Sequence, residues 1–255
     1  MLGIKFFGTS AAVPSKNRGF SCIGVYNERQ LTLLDCGDGS IHRLIKSDVD
    51  VSAINDIFVT HYHSDHVTGL TSIIETMAIQ KKSSNLNVYG PPGLTDYFST
   101  VERITRVAFT KKFQINLVEL QSGQGISIPG FAVSTFAMDH TVPCLGYRLK
   151  EEKGNGRVIA YTGDTQPCEC LLPLARNTDL LIHEATFLQK DVAKARPPKH
   201  ATPTEAANAA LSAGAKKLVL THVNDDDETP EEMISEAKAI WRETIVADDG
   251  LELEV

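Results

Sequence analysis

A chain of 255 residues with 42% hydrophobic content can bury a substantial core, and residues 1–255 are read as one domain. The formal net charge of −7 excludes a surface that attracts phosphate backbones everywhere, so any contact with nucleic acid is confined to a local rim. Five scattered cysteines (Cys22, Cys36, Cys144, Cys168 and Cys170) lack the spacing of a disulfide framework, and no apolar run reaches membrane-spanning length, so a soluble cytoplasmic protein with reduced thiols is expected.

Short apolar, β-branched runs closed by turn residues predict strands over 4–7, 22–26, 31–34, 57–60, 87–89, 114–120, 132–136, 158–162, 180–183, 218–221 and 245–247. Between them, Val67, Leu70, Ile73, Ile74 and Met77 fall at helical spacing and predict one apolar helical face. A second helix is expected over 203–213, with Thr202 as cap and Pro203 in the first turn, and a third over 229–244. Strands alternating with helices in both halves, without repeats or a linker, argue for an α/β fold of sheets covered by helices.

The run His61-Tyr62-His63-Ser64-Asp65-His66 closes the strand expected over 57–60, where extended geometry would send both His61 and His63 to one side. By the chain's own composition an HxHxDH pattern arises by chance about 5 times in 10,000. Four ligand-type side chains within six residues each need a partner if buried, and a divalent cation satisfies all of them. Other predicted strand ends carry Asp139-His140, Gly163-Asp164-Thr165, His183-Glu184 and His222; each is weak alone, but their recurrence points to a two-metal site.

HxHxDH, His140, Gly163-Asp164-Thr165 and Thr221-His222, in this order, resemble the metallo-β-lactamase superfamily. The ribonuclease Z branch is the nearest resemblance, through Phe7-Gly8-Thr9-Ser10, Asp35-Cys36-Gly37-Asp38-Gly39, Gly90-Pro91-Pro92-Gly93-Leu94 and Ala247-Asp248-Asp249-Gly250. The resemblance implies a four-layer αββα sandwich holding two Zn²⁺ ions, with Mn²⁺ or Fe as substitutes. His61, His63 and His140 would hold one ion, Asp65, His66 and His222 the other, and Asp164 would bridge them. Asp35 would orient a ligand imidazole, its alternative being a plain turn residue. His183-Glu184-Ala185-Thr186 matches the family's HEAT motif; Glu184 would orient His200, which would protonate the leaving oxygen, while His183 and His42 are expected to be structural. A hydroxide shared by the ions would be the nucleophile, with Asp65 fixing its orientation or acting as base.

The same resemblance implies a homodimer and a phosphodiester substrate, possibly a tRNA precursor, with Lys16 and Arg18 of the Pro14–Arg18 loop as phosphate contacts. The chain departs from the pattern in three places. Gly19 replaces an Asn, the acidic run Asp225–Glu228 follows His222, and only 164 − 140 = 24 positions separate His140 from Asp164, where many members insert a tRNA-binding arm. Lys190, Lys194, Arg196 and Lys199 could form a basic rim in its place or be a solvated face. Three classes stay open: a phosphodiesterase, a hydrolase of sulfate esters, lactones or thioesters, and an inactive metal-binding interaction protein.

Overall fold

The computed structural model describes residues 2–27, 30–108, 113–224 and 230–255. The first sheet contains β1 (Leu2–Gly8), β2 (Cys22–Asn27), β3 (Gln30–Leu34), β4 (Asp56–Phe58), β5 (Leu86–Gly90), β6 (Ile115–Glu119) and β14 (Glu252–Glu254), in the order β14-β1-β2-β3-β4-β5-β6. The second contains β7 (Gly125–Ile128), β8 (Phe131–Met138), β9 (Cys144–Glu151), β10 (Val158–Tyr161), β11 (Leu180–Glu184), β12 (Leu218–Thr221) and β13 (Thr244–Val246), in the order β13-β12-β11-β10-β9-β8-β7. Each sheet has antiparallel pairs at one side and parallel pairs, β3-β4-β5-β6 and β10-β11-β12-β13, at the other.

Side chains that alternate along the strands build the layers. Leu34 and Phe58 face inward and join Phe131, Tyr147, Leu149, Tyr161 and Ile182 of the second sheet in one buried cluster. Phe58 stacks on Tyr89 at 4.4 Å and meets Tyr147 edge-on at 5.0 Å across the two sheets. Their neighbours Leu33 and Ile57 face outward, against α1 (Ser40–Lys46), α3 (Leu70–Ile79) and α4 (Leu94–Thr105). On the far side, Ala160, Leu181 and Leu220 pack under α5 (Leu171–Ala175), α7 (Pro203–Ala213) and α8 (Pro230–Lys238). The result is the αββα sandwich that the sequence resemblance implied.

The helix over 203–213 has the expected ends: Thr202 Oγ1 accepts from Glu205 N, Glu205 answers to Thr202 N, and Gly214 closes it at φ +68°. Other boundaries differ. The helix expected through Val67 to Met77 is divided at Thr68-Gly69 into α2 (Ser64–Val67) and α3, and Gly69 packs so closely there that a Cβ would meet Gly37 O at 2.1 Å. α8 stops at Lys238 rather than Thr244. The strand before the histidines ends at Phe58, so His61 and His63 stand on a loop; His63 is nonetheless extended (φ −67°, ψ 150°), and the two imidazoles lie on one side, with His61 Nε2 3.1 Å from His63 Nδ1. α1 and α4 were not legible: α4 buries only Leu94 and Phe98 fully, and α1 only Ser40 and Leu44. The acidic run 225–228 lies outside the described residues.

Asp179, directly before β11, fastens the start of the adjacent β10. It accepts from Val158 N, Arg157 Nη1 and Lys216 Nζ, each at 2.8 Å. Burial raises its carboxyl pKa, but these three donors outweigh burial and hold it below the usual carboxylate value. Its stabilising contribution is therefore full above the unfolded-state value and is lost as the pH falls through the lower folded one. Asp179→Ala should lower the unfolding free energy at pH 7 by about 1–3 kcal/mol. Urea titrations should show the gap from the parent narrowing below about pH 4.

Candidate metal centre

Loops leaving the parallel strands of both sheets, and the loop after the antiparallel β8, converge on one buried cluster. His61 and His63 follow β4, with His61 Nε2 3.1 Å from His63 Nδ1. Asp65 and His66 lie on α2, whose short turn brings both back over the strand ends. Gly37 permits that approach, since a Cβ there would sit 2.2 Å from Asp65 O. His140 follows β8, with Nε2 3.2 Å from His63 Nδ1. Asp164 follows β10 through Gly163, whose φ is +61° and whose Cβ would meet Thr60 Cβ at 2.8 Å, so glycine is required twice over. His222 follows β12, with Nε2 3.2 Å from Asp65 Oδ2 and 3.4 Å from Asp164 Oδ2.

Ligand-type atoms of His61, His63, His140 and Asp164 lie within 4.8 Å of one another, as do those of Asp65, His66, Asp164 and His222. Asp164 is common to both groups. All seven side chains named from the sequence are thus brought together, and all but His63 are buried.

Hydrogen bonds fix which nitrogen four of the five imidazoles present. His66 Nδ1 donates to Asp35 Oδ2 at 2.8 Å, and His140 Nδ1 donates to Lys199 O at 3.3 Å. Thr60 Oγ1 gives its one proton to Asp35 Oδ2 at 2.9 Å, so it accepts from His61 Nδ1 at 3.0 Å. Thr186 Oγ1 likewise donates to Glu184 Oε2 at 2.8 Å and accepts from His222 Nδ1 at 2.8 Å. Four Nε2 lone pairs are left facing the cluster. His66 Nε2 and Asp164 Oδ1 are buried there without a hydrogen-bond partner, as a cation site would leave them.

Electrostatics divide the cluster. Burial pushes His61 well down, and burial likewise lowers His63 and His140. For His66, burial acts downward but is outweighed by the carboxylates of Asp164 and Asp35, which push it well up. Asp164, despite burial, is held well below the carboxylate range by His222 and His66. Asp65 is lowered in the same way, burial being overcome by the neighbouring imidazoles of His222 and His66. Both carboxylates remain anionic.

His200 stands beside the cluster, its ring 5.2 Å from those of His140 and His222. Glu184 Oε1 accepts from its Nδ1 at 2.8 Å and from Thr165 N at 2.8 Å, while Oε2 accepts from Ala201 N at 3.1 Å. Burial lowers the His200 pKa, yet the charge and hydrogen bond of Glu184 carry it up to about 9. His183 is buried and donates to Glu184 O at 2.6 Å, and His42 is exposed on α1; neither joins the cluster.

The two expected phosphate contacts are placed differently. Arg18 is only 4% exposed; it donates to Thr9 Oγ1 at 2.8 Å and to Ala247 O, and pairs with Asp248, so it holds its loop. Lys16 is exposed, but it lines a cavity of about 760 Å³ with Arg43, Lys46 and Asp249 that none of the seven clustered residues lines. The proposed basic rim is also matched by acids: Lys190 with Glu232, Lys194 with Asp191, Arg196 with Glu205 and Lys199 with Asp139. The turn between β9 and β10 carries no arm.

Residue-type reasoning missed Thr60, Tyr161 and the backbone of Lys199. Thr186 was legible only as the last letter of a motif. Asp35, left open between two roles, accepts from His66 Nδ1, Thr60 N, Thr60 Oγ1 and Tyr161 Oη at 2.7–2.9 Å. Asp35→Ala would strand four buried donors, destabilising the fold by about 3 kcal/mol or more. Metal titration should also show affinity weakened about 10- to 100-fold.

The beta-lactamase superfamily domain matches residues 32–223. The ribonuclease Z of Methanosarcina acetivorans is 31% identical, with 100% of this chain and 98% of that protein covered. That alignment runs over 304 positions, so about 304 − 255 = 49 of them have no counterpart here. Among solved structures, the short form of human tRNase Z superposes with a TM-score of 0.84 at 29% identity, covering 99% of each chain. The metallo-beta-lactamase fold protein YhfI of Bacillus subtilis superposes at 0.86 with 21% identity, covering 100% of this chain and 99% of its own.

Proposed function

Because this chain belongs to the beta-lactamase superfamily, and within it to the ribonuclease Z-like branch of metal-dependent hydrolases, we propose that it cleaves phosphodiester bonds of RNA at a dinuclear zinc centre. In this reading His61, His63 and His140 would hold one ion and Asp65, His66 and His222 the other, with Asp164, common to both groups, available to either. The observation that carries it is the convergence of four Nε2 atoms and two anionic carboxylates, with His66 Nε2 and Asp164 Oδ1 buried 3.3 Å apart and without a hydrogen bond. Imidazole and carboxylate donors suit Zn²⁺, and they also accept Mn²⁺ or Fe.

When bound, such ions acidify water to a nucleophile at neutral pH and offset charge on the phosphoryl oxygens. The protein's own groups do the rest. Asp65, anionic and facing the cluster, would accept a hydrogen bond from the attacking water and align it. His200 has Nδ1 committed to Glu184, which leaves Nε2 to donate a proton to the departing alkoxide. Glu184 orients that imidazole and favours its protonated form.

The paired rim charges and the armless β9–β10 turn favour a small phosphodiester or a short RNA over a full tRNA precursor. A homodimer acting as one hydrolase domain per chain completes the proposal, and the five free cysteines support a cytoplasmic setting. Among the described residues no helix is long and apolar enough to cross a membrane.

His63→Ala should halve or empty the metal content, read by elemental analysis, and abolish turnover; full activity at normal stoichiometry would overturn the ligand set. His200→Ala should instead keep its metal and lose about 10²- to 10⁴-fold in kcat. Side-by-side assays of the zinc-loaded protein on bis-p-nitrophenyl phosphate, an aryl sulfate and a pre-tRNA address substrate. Cleavage of the diester alone would reject the tRNA reading, and inertness toward both phosphodiesters would reject phosphodiesterase activity. Chelation should remove all turnover, and added Zn²⁺ should restore it.

A further inference from the structure

Three side chains outside the metal cluster join the loops that carry it. Asp139 precedes His140, Gln166 lies two residues after Asp164, and Lys199 precedes His200. Asp139 Oδ1 accepts from Lys199 Nζ at 2.7 Å, and Oδ2 accepts from Gln166 Nε2 at 2.7 Å. The backbones are tied as well, with Gln166 N donating to Asp139 O at 3.1 Å and Asp139 N donating to Thr165 Oγ1 at 3.1 Å. One carboxylate thus links the loops bearing His140, Asp164 and His200.

Lys199 has a second connection. Its carbonyl is the acceptor that fixes His140 Nδ1, and it occupies φ +58°, the left-handed region that a residue with a Cβ adopts at a cost. The side chain of a lysine held there is anchored on Asp139. Both partners are more than a third exposed, so the pair adds little to global stability. What it fixes is geometry: the placement of one carbonyl against a ligand imidazole, and of the next residue, His200, against the cluster.

We propose that Lys199 is a positioning residue, clamped by Asp139 so that its carbonyl orients His140 and its loop aligns His200 with the metal centre. This rests on the phosphodiesterase reading above. A lysine on an active-site rim has a competing role as a direct contact to substrate phosphate, and the two differ in what they change. A clamp acts on the chemical step, whereas a phosphate contact acts on binding.

Lys199→Gly separates them, because glycine accepts the left-handed backbone and keeps the carbonyl while deleting only the anchor. In the full-length, metal-loaded protein, Lys199→Gly and Asp139→Ala should each lower kcat on bis-p-nitrophenyl phosphate about tenfold, with KM within about twofold and metal content unchanged. Lys199→Arg should retain most of the rate, and the double variant should be no worse than either single change. Hydrogen–deuterium exchange of the peptide spanning 196–202, where His200 N donates to Ala195 O and Ala201 N to Glu184, should accelerate in both single variants. A raised KM with unchanged kcat, additive single effects, or unaltered exchange would each overturn the clamp. If the parent cleaves no phosphodiester, the functional reading fails, and exchange alone still decides whether Asp139 and Lys199 hold this loop.

Discussion

The metal centre depends on two buried carboxylates that are not among the seven clustered side chains. Asp35 and Glu184 each anchor a threonine hydroxyl, and each hydroxyl, its single proton committed, accepts from an imidazole Nδ1. Asp35 also takes His66 directly, and Glu184 takes His200. A neutral imidazole has one donor and one acceptor nitrogen, so securing the donor on the protein side leaves the lone pair for the cluster. One carboxylate comes from the first sheet and the other from the second, so each half of the sandwich orients part of the site.

This arrangement explains why the sheets carry their parallel strands where they do. Parallel strands end together, and their following loops leave from one edge of each sheet. Two such edges facing each other across a shared apolar core bring the parallel strands β4, β10, β11 and β12 to a common rim, where the antiparallel β8 also ends, although they are far apart in the chain. The inner core of Phe58, Tyr147 and Tyr161 sets the spacing, and two of its tyrosines reach up into the site. Tyr161 Oη donates to Asp35, and Tyr147 Oη donates to Val59 O next to Thr60. Packing and ligand orientation are therefore parts of one network.

The substrate side is less built up than the metal side. Basic residues near the rim are matched by acids, and Arg18 is committed to its own loop. A net negative chain of this kind does not gather polyanions through a broad field, so recognition falls on groups close to the reacting phosphate. The loop before His200 lies beside the clustered side chains, and the Asp139 to Lys199 link ties it to the strand ends that carry His140 and Asp164.

By itself the sequence determined the α/β class, the HxHxDH signal, and, through resemblance, the partners His140, Asp164, His222, Glu184 and His200. These were readable because ligand types are rare and sit at the ends of apolar runs, a pattern that composition seldom produces by chance. Only the tertiary structure decided that His61 and His63 converge from a loop rather than a strand, that Asp35 is an acceptor for His66, and that Arg18 is committed to its loop. It also supplied Thr60, Thr186 and the Lys199 carbonyl. The reason is physical: hydroxyls and backbone carbonyls occur everywhere in a sequence, and their roles arise only from which group lies within about 3 Å after folding.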